Sequence, residues 1–153
     1  MASTDPIGFI VQQVPNAFRD RERLRRWLHR VAQDHGSRID AVTFVLMDEK
    51  SLLHYNHTFL HHDEHTDVIT FPVDSNNGVA GDVLMSYDRI KENADNFNVP
   101  VQHELRRVMV HGLLHLLGHK DKSKADRSAM RQREDTYLAH FPTPDKEKAA
   151  TRK

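Results

Sequence analysis

Residues 102–121 read Gln102-His-Glu-Leu-Arg-Arg-Val-Met-Val-His111-Gly-Leu-Leu-His115-Leu-Leu-Gly118-His119-Lys-Asp121. Leu105, Val108, Met109, Leu113 and Leu116 recur at the spacing of one helix face, which predicts a helix over Gln102–Leu117. Gly118 stands where a helix C-terminal glycine belongs. His111 and His115 are four residues apart, so on this helix their Cβ atoms lie roughly 5–6 Å apart on one face. Two imidazoles so placed converge on one ion at about 2.0–2.1 Å per Zn–N bond. This H-x-x-x-H spacing is that of zinc hydrolases. A catalytic zinc takes three protein ligands and keeps a position for water. A turn at Gly118 lets a later residue swing back as the third. The same pair also arises by chance in a chain with 12 histidines, so its neighbours carry weight.

Upstream, Gly8–Val14 alternates weakly between Pro6 and Pro15 and predicts a short strand. Asp20–His35 carries Leu24, Trp27, Leu28 and Val31 at helical spacing. Ala41–Met47 is rich in β-branched and aromatic residues and predicts a strand. Asp48–Leu60 predicts a helix, with Leu52, Leu53, Asn56 and Phe59 on or near one face. Asp67–Val73 and Gly81–Ser86 predict two strands around the turn signal Asn76-Asn77-Gly78, paired as a hairpin. Tyr87–Asn98 predicts a helix ending before Pro100, and Asp126–Ala139 a last one. The pattern is α+β: a single small mixed β-sheet with helices packed around it. No Pro/Gly/Ser-rich linker divides the chain. Residues 1–141 are expected to form a single metallo-hydrolase domain, and 142–153 a charged, mobile tail.

The totals narrow the chemistry. At 153 residues the chain can bury one sizeable core. A formal net charge of +0 gives no overall pull on nucleic acid or membrane, so any RNA contact must come from local patches. Cysteine is absent, which excludes disulfides and thiolate zinc sites. The histidines are scattered and form no long run, so no tag explains them. The first residues carry acid and no basic segment, and no apolar run approaches the roughly 18 residues of a membrane span. The expectation is a cytoplasmic protein.

Three ordered blocks resemble the YbeY family over most of residues 40–135. Residues 111–118 fit its His-Gly-x-Leu-His-Leu-x-Gly signature at every specified position. Thr66-Asp67-Val68-Ile69-Thr70-Phe71-Pro72 resembles the family's Thr-Asp-Val-Leu-Ser-Phe-Pro strand, and Gly81-Asp82-Val83 its Gly-Asp-Ile/Val strand. The resemblance implies a zincin-like metal helix with one Zn(2+) per chain. It also implies a single-strand-specific endoribonuclease of ribosomal RNA maturation and ribosome quality control. Its partners would be ribosomal RNA precursor and the small ribosomal subunit, with no DNA or membrane partner.

The chain departs from the family twice. The usual third histidine falls at Asp121, and carboxylate oxygen is itself a zinc ligand. His119 competes for that role, and would share the helix face if the helix ran through Gly118. The second departure is Leu60, where the family commonly carries an arginine six residues before the Thr66 block. Leucine cannot clamp a phosphate, so another basic residue substitutes or the catalytic design differs.

Candidate catalytic residues are Glu104, Asp67 and Asn56. Glu104 lies two turns before His111, and its alternative reading is a solvated helix carboxylate. Asp67 is a candidate to orient a ligand imidazole, or else caps a turn into its strand. Asn56 sits in a family-like block. His57, His61, His62 and His65 read as loop histidines or as visitors to the metal pocket. Arg19, Arg21, Arg23, Arg25, Arg26 and Arg30 offer a phosphate track or a solvated face, and Arg106 and Arg107 a second phosphate contact. Three functions stay in play: the endoribonuclease, a non-catalytic ribosome assembly factor with structural zinc, and a metalloprotease. Gly112 argues against the last, because H-E-x-x-H proteases place their glutamate base there.

Overall fold

The computed structural model describes residues 5–60 and 66–142. In chain order the elements are β1 (Ile7–Gln12), α1 (Arg21–Asp34), β2 (Ile39–Met47), α2 (Glu49–Leu60), β3 (Val68–Val73), β4 (Val79–Ser86), α3 (Tyr87–Asn96), α4 (Val101–Leu116) and α5 (Lys124–Ala139). Every predicted element is present, and the α+β expectation holds. The strands form one mixed sheet in the order β1-β2-β4-β3. β1 pairs parallel with β2, and β2 with β4. β3 closes the sheet as the antiparallel partner of β4, from Val68 opposite Met85 to Val73 opposite Ala80, the expected hairpin.

The central strands read as near-continuous apolar runs because helices cover both faces. On one face Val42, Phe44, Leu46, Val83 and Met85 form a core with Leu24, Leu28 and Val31 of α1 and Leu105, Met109 and Leu113 of α4. On the other, Val45, Met47, Ile69 and Leu84 pack with Leu52 of α2. Gly112 sets how closely α4 approaches the sheet. A Cβ there would lie 2.5 Å from Cγ1 of Val83. Position 112 therefore turns its backbone to the sheet.

Boundaries differ from expectation where local hydrogen bonds decide. α5 begins at Lys124, two residues early, because Ser123 and Asp126 form a reciprocal capping box. α3 ends at Asn96, capped by Phe97, and Asn98 takes φ 58°. β2 and β4 start at Ile39 and Val79, two residues before their expected starts, because those residues pair with each other. His61, His62 and His65, and the expected tail beyond Pro142, lie outside the described residues.

Candidate metal centre

α4 is stopped by its own backbone. The Gly118 N–H donates to the His115 carbonyl at 3.0 Å and the His119 N–H to the Leu114 carbonyl at 3.0 Å. This double closure needs a left-handed residue, and Gly118 supplies it at φ 104°. The chain then reverses and returns Asp121 to the histidine face. Asp121 Oδ2 lies 3.4 Å from His111 Nε2 and 3.1 Å from His115 Nε2. The two Nε2 atoms are 3.1 Å apart. Bonds of 2.0–2.1 Å around a tetrahedral zinc put its ligand atoms about 3.3 Å apart. The triangle of donors has that size, so the residues fit a small divalent ion. Among the described residues these three form the one such group of histidine and acidic side chains.

His119 is engaged elsewhere. Its Nε2 is 2.7 Å from Nε2 of His35, the C-terminal cap of α1, whose Nδ1 bonds the Val31 carbonyl. Once α4 stops at Gly118, residue 119 leaves the histidine face.

A buried carboxylate that sequence reasoning passed over holds His111 from behind. Oε2 of Glu134 on α5 lies 2.6 Å from His111 Nδ1. A carboxylate only accepts, so the proton sits on Nδ1 and the Nε2 lone pair faces Asp121. Glu134 is 4% exposed. Its other oxygen accepts from Arg107 Nη1 at 2.9 Å, and Arg107 Nη2 donates to Asp135 at 2.7 Å. Burial opposes charge on His111, but the Glu134 hydrogen bond and the charges of Glu134, Asp67 and Asp121 together outweigh it and raise the proton affinity of the ring. The carboxylate hydrogen-bonded to the His111 ring is that of Glu134. The signal was present but faint: Glu134 follows Met130 by one helical turn, on the buried stripe of α5.

The candidate catalytic residues line the hollows beside the three donors. Glu104 is 3% exposed, so the solvated-carboxylate reading fails. Burial is the main reason its pKa rises to about 6, against the opposing charge of Arg107. Asp67 opens β3, where its carbonyl accepts from the Ser86 N–H at 2.9 Å, and burial raises its carboxyl above the usual range. Asn56 is buried on α2. Two hollows meet at His111, Asp121 and Asp67. One, about 330 Å³, contains Glu104, Glu134 and Arg131. The other, about 620 Å³, contains Asn56, Leu60, His115 and Lys122.

On α1, Arg21 and Arg25 lie over the Phe9 ring, Arg23 pairs with Asp20 and Arg30 with Asp34. Arg106 covers Phe141, and Arg107 is held by Glu134 and Asp135. The cations that line the two hollows also include Lys122, Arg127 and Arg131, which sequence reasoning did not single out.

A family model described as Endoribonuclease YbeY matches residues 11–142. Endoribonuclease YbeY of Flavobacterium psychrophilum is 41% identical over 115 residues, 75% of this chain and 82% of that protein. That of Cytophaga hutchinsonii is 37% identical over 136 residues, covering 88% and 95%. The solution structure of TM1509 from Thermotoga maritima superposes with a TM-score of 0.61 at 26% identity, covering 86% of each chain.

Proposed function

The chain belongs to the endoribonuclease YbeY family, and from that premise we propose that it is a zinc-dependent endoribonuclease cutting single-stranded RNA during ribosomal RNA maturation. The observation that carries the metal is the Nε2, Nε2, Oδ2 triangle of His111, His115 and Asp121, with edges of 3.1–3.4 Å. A bound zinc would supply an activated water near neutral pH and polarise a phosphoryl oxygen, both suited to phosphodiester cleavage.

The chain's own residues prepare the site for this chemistry. Glu134 fixes the His111 tautomer. Glu104, whose carboxyl is raised to about 6, can hold or release a proton close to neutrality. Asp67 and Asn56 stand on the walls of the cleft as candidates to position the substrate or water. Lys122 lines the same hollow as Leu60 and offers a cation for a phosphate where leucine cannot. Position 112 is closed to a protease-type glutamate, because any side chain there would strike Val83. The RNA would be ribosomal RNA precursor on the small ribosomal subunit, a cytoplasmic role. Among the described residues no helix is long and apolar enough to cross a membrane.

The direct test is purified protein assayed for bound metal and for cleavage of a structured ribosomal RNA fragment. Bound zinc with chelator-sensitive RNA cleavage supports the proposal. Peptide hydrolysis without RNA cleavage overturns it. RNA binding without cleavage in zinc-loaded protein supports the assembly-factor reading instead.

A further inference from the structure

We infer that Arg107 is a positioning residue that sets the metal affinity of the centre by holding Glu134 against His111; the inference rests on the metal reading above. Arg107 is one helical turn from His111 on α4, and its side chain is 12% exposed. It faces three carboxylates at once: Glu134 at 2.9 Å, Asp135 at 2.7 Å and Glu104 at 3.9 Å. Glu104 and Glu134 are both buried, and Asp67 lines the same hollow.

The geometry makes the dependence specific. Glu134 divides its oxygens: Oε1 accepts from Arg107 and Oε2 accepts from His111. Two anchors leave the carboxylate one orientation. Without Arg107, Glu134 loses the anchor on Oε1 and can rotate away. That rotation removes the acceptor from His111 Nδ1 and frees the ring to turn its lone pair from Asp121 and His115. The planar fork matters as well as the charge, because it spans Glu134 and Asp135 together.

The test is a double-mutant cycle on zinc affinity, read by competition with a chromophoric chelator on folded full-length protein, with no RNA present. Loss of an outer partner of a ligand histidine typically costs 10–100-fold in affinity. Arg107→Met and Glu134→Gln are each expected to weaken zinc binding at least tenfold. The double variant should be no weaker than Glu134→Gln alone, since the two act through one contact. The downfield His111 Nδ1–H proton signal should vanish in both single variants. Should Arg107→Met fail to fold, the cycle runs with Arg107→Lys, which keeps the charge and loses the fork. Unchanged affinity in the Arg107 variant, or losses that multiply in the double variant, would overturn the inference. Wild-type protein that binds no divalent ion overturns the metal reading together with it; wild-type binding with an additive cycle overturns the clamp alone.

Discussion

Gly112 and Val83 leave no room for a methyl group between them: a Cβ at 112 would sit 2.5 Å from one Val83 methyl and 3.1 Å from the other. This close approach brings the metal helix onto β4. Gly112→Ala is therefore expected to lower stability by about 1–3 kcal/mol, the usual cost of overpacking, despite alanine's better helix propensity. Urea denaturation measures it. A neutral or stabilising effect would mean that α4 lifts from the sheet without penalty. Gly112→Ala combined with Val83→Ala should recover part of the loss.

Removing both imidazoles in a His111→Ala, His115→Ala double variant should abolish metal retention, about one ion per chain in the wild type by the minimum for one three-ligand site. Elemental analysis after gel filtration decides this. Full retention would place the ion elsewhere.

Asp121→Ala should weaken metal binding strongly and His119→Ala only slightly, because His119 is engaged with His35. Asp121→His should keep the metal, imidazole being an equally good zinc ligand. Metal affinities ranked in the reverse order would require α4 to continue through Gly118.

The buried carboxyl of Glu104 predicts a pH-dependent stability. Its folded pKa, about 6, lies above the ordinary 4.5. A raised carboxyl contributes fully while protonated in both states, below about pH 4.5, and its contribution is lost as pH rises through about 6. Glu104→Gln should thus match wild type near pH 4.5 and exceed it at pH 7.5 by on the order of 1–2 kcal/mol, in metal-free protein. Chemical denaturation at the two pH values reads the difference. The same offset at both would mean that the carboxyl is not perturbed.

For RNA, Lys122→Gln should weaken binding and flatten its salt dependence by about one unit of log–log slope, as for one lost phosphate contact. Arg30→Gln should do neither, since Arg30 pairs with Asp34. Filter binding across a salt series separates them. Equal effects would make α1 the phosphate track after all.

The helix stripe of Leu105, Val108, Met109 and Leu113 was legible because period and burial coincide. The hairpin was legible because Asn76-Asn77-Gly78 breaks two apolar runs. The metal triad was legible because its members lie on one helix and the turn after it. Glu134 was not, being 23 residues beyond His111 and reachable only once α5 packs on α4. Lys122, Arg127 and Arg131 were hidden for a related reason. Isolated cations in a polar stretch acquire meaning only from the cleft they border, whereas the dense arginines of α1 drew notice by number, Arg21 meeting Phe9, Arg23 Asp20 and Arg30 Asp34.

The locality of the three donors changes what the metal does for the chain. His111, His115 and Asp121 fall within eleven consecutive residues, and bringing the ends of so short a segment together costs little chain entropy. An unfolded molecule is therefore expected to keep some affinity for the ion, less than the folded one, which adds the helix and the Glu134 contact. A ligand held by both states shifts the folding equilibrium only by the difference in its two affinities. Zinc should thus raise the melting temperature less than its native affinity alone would give. The segment can take up its ion as a nascent helix, before the sheet it will rest on has assembled.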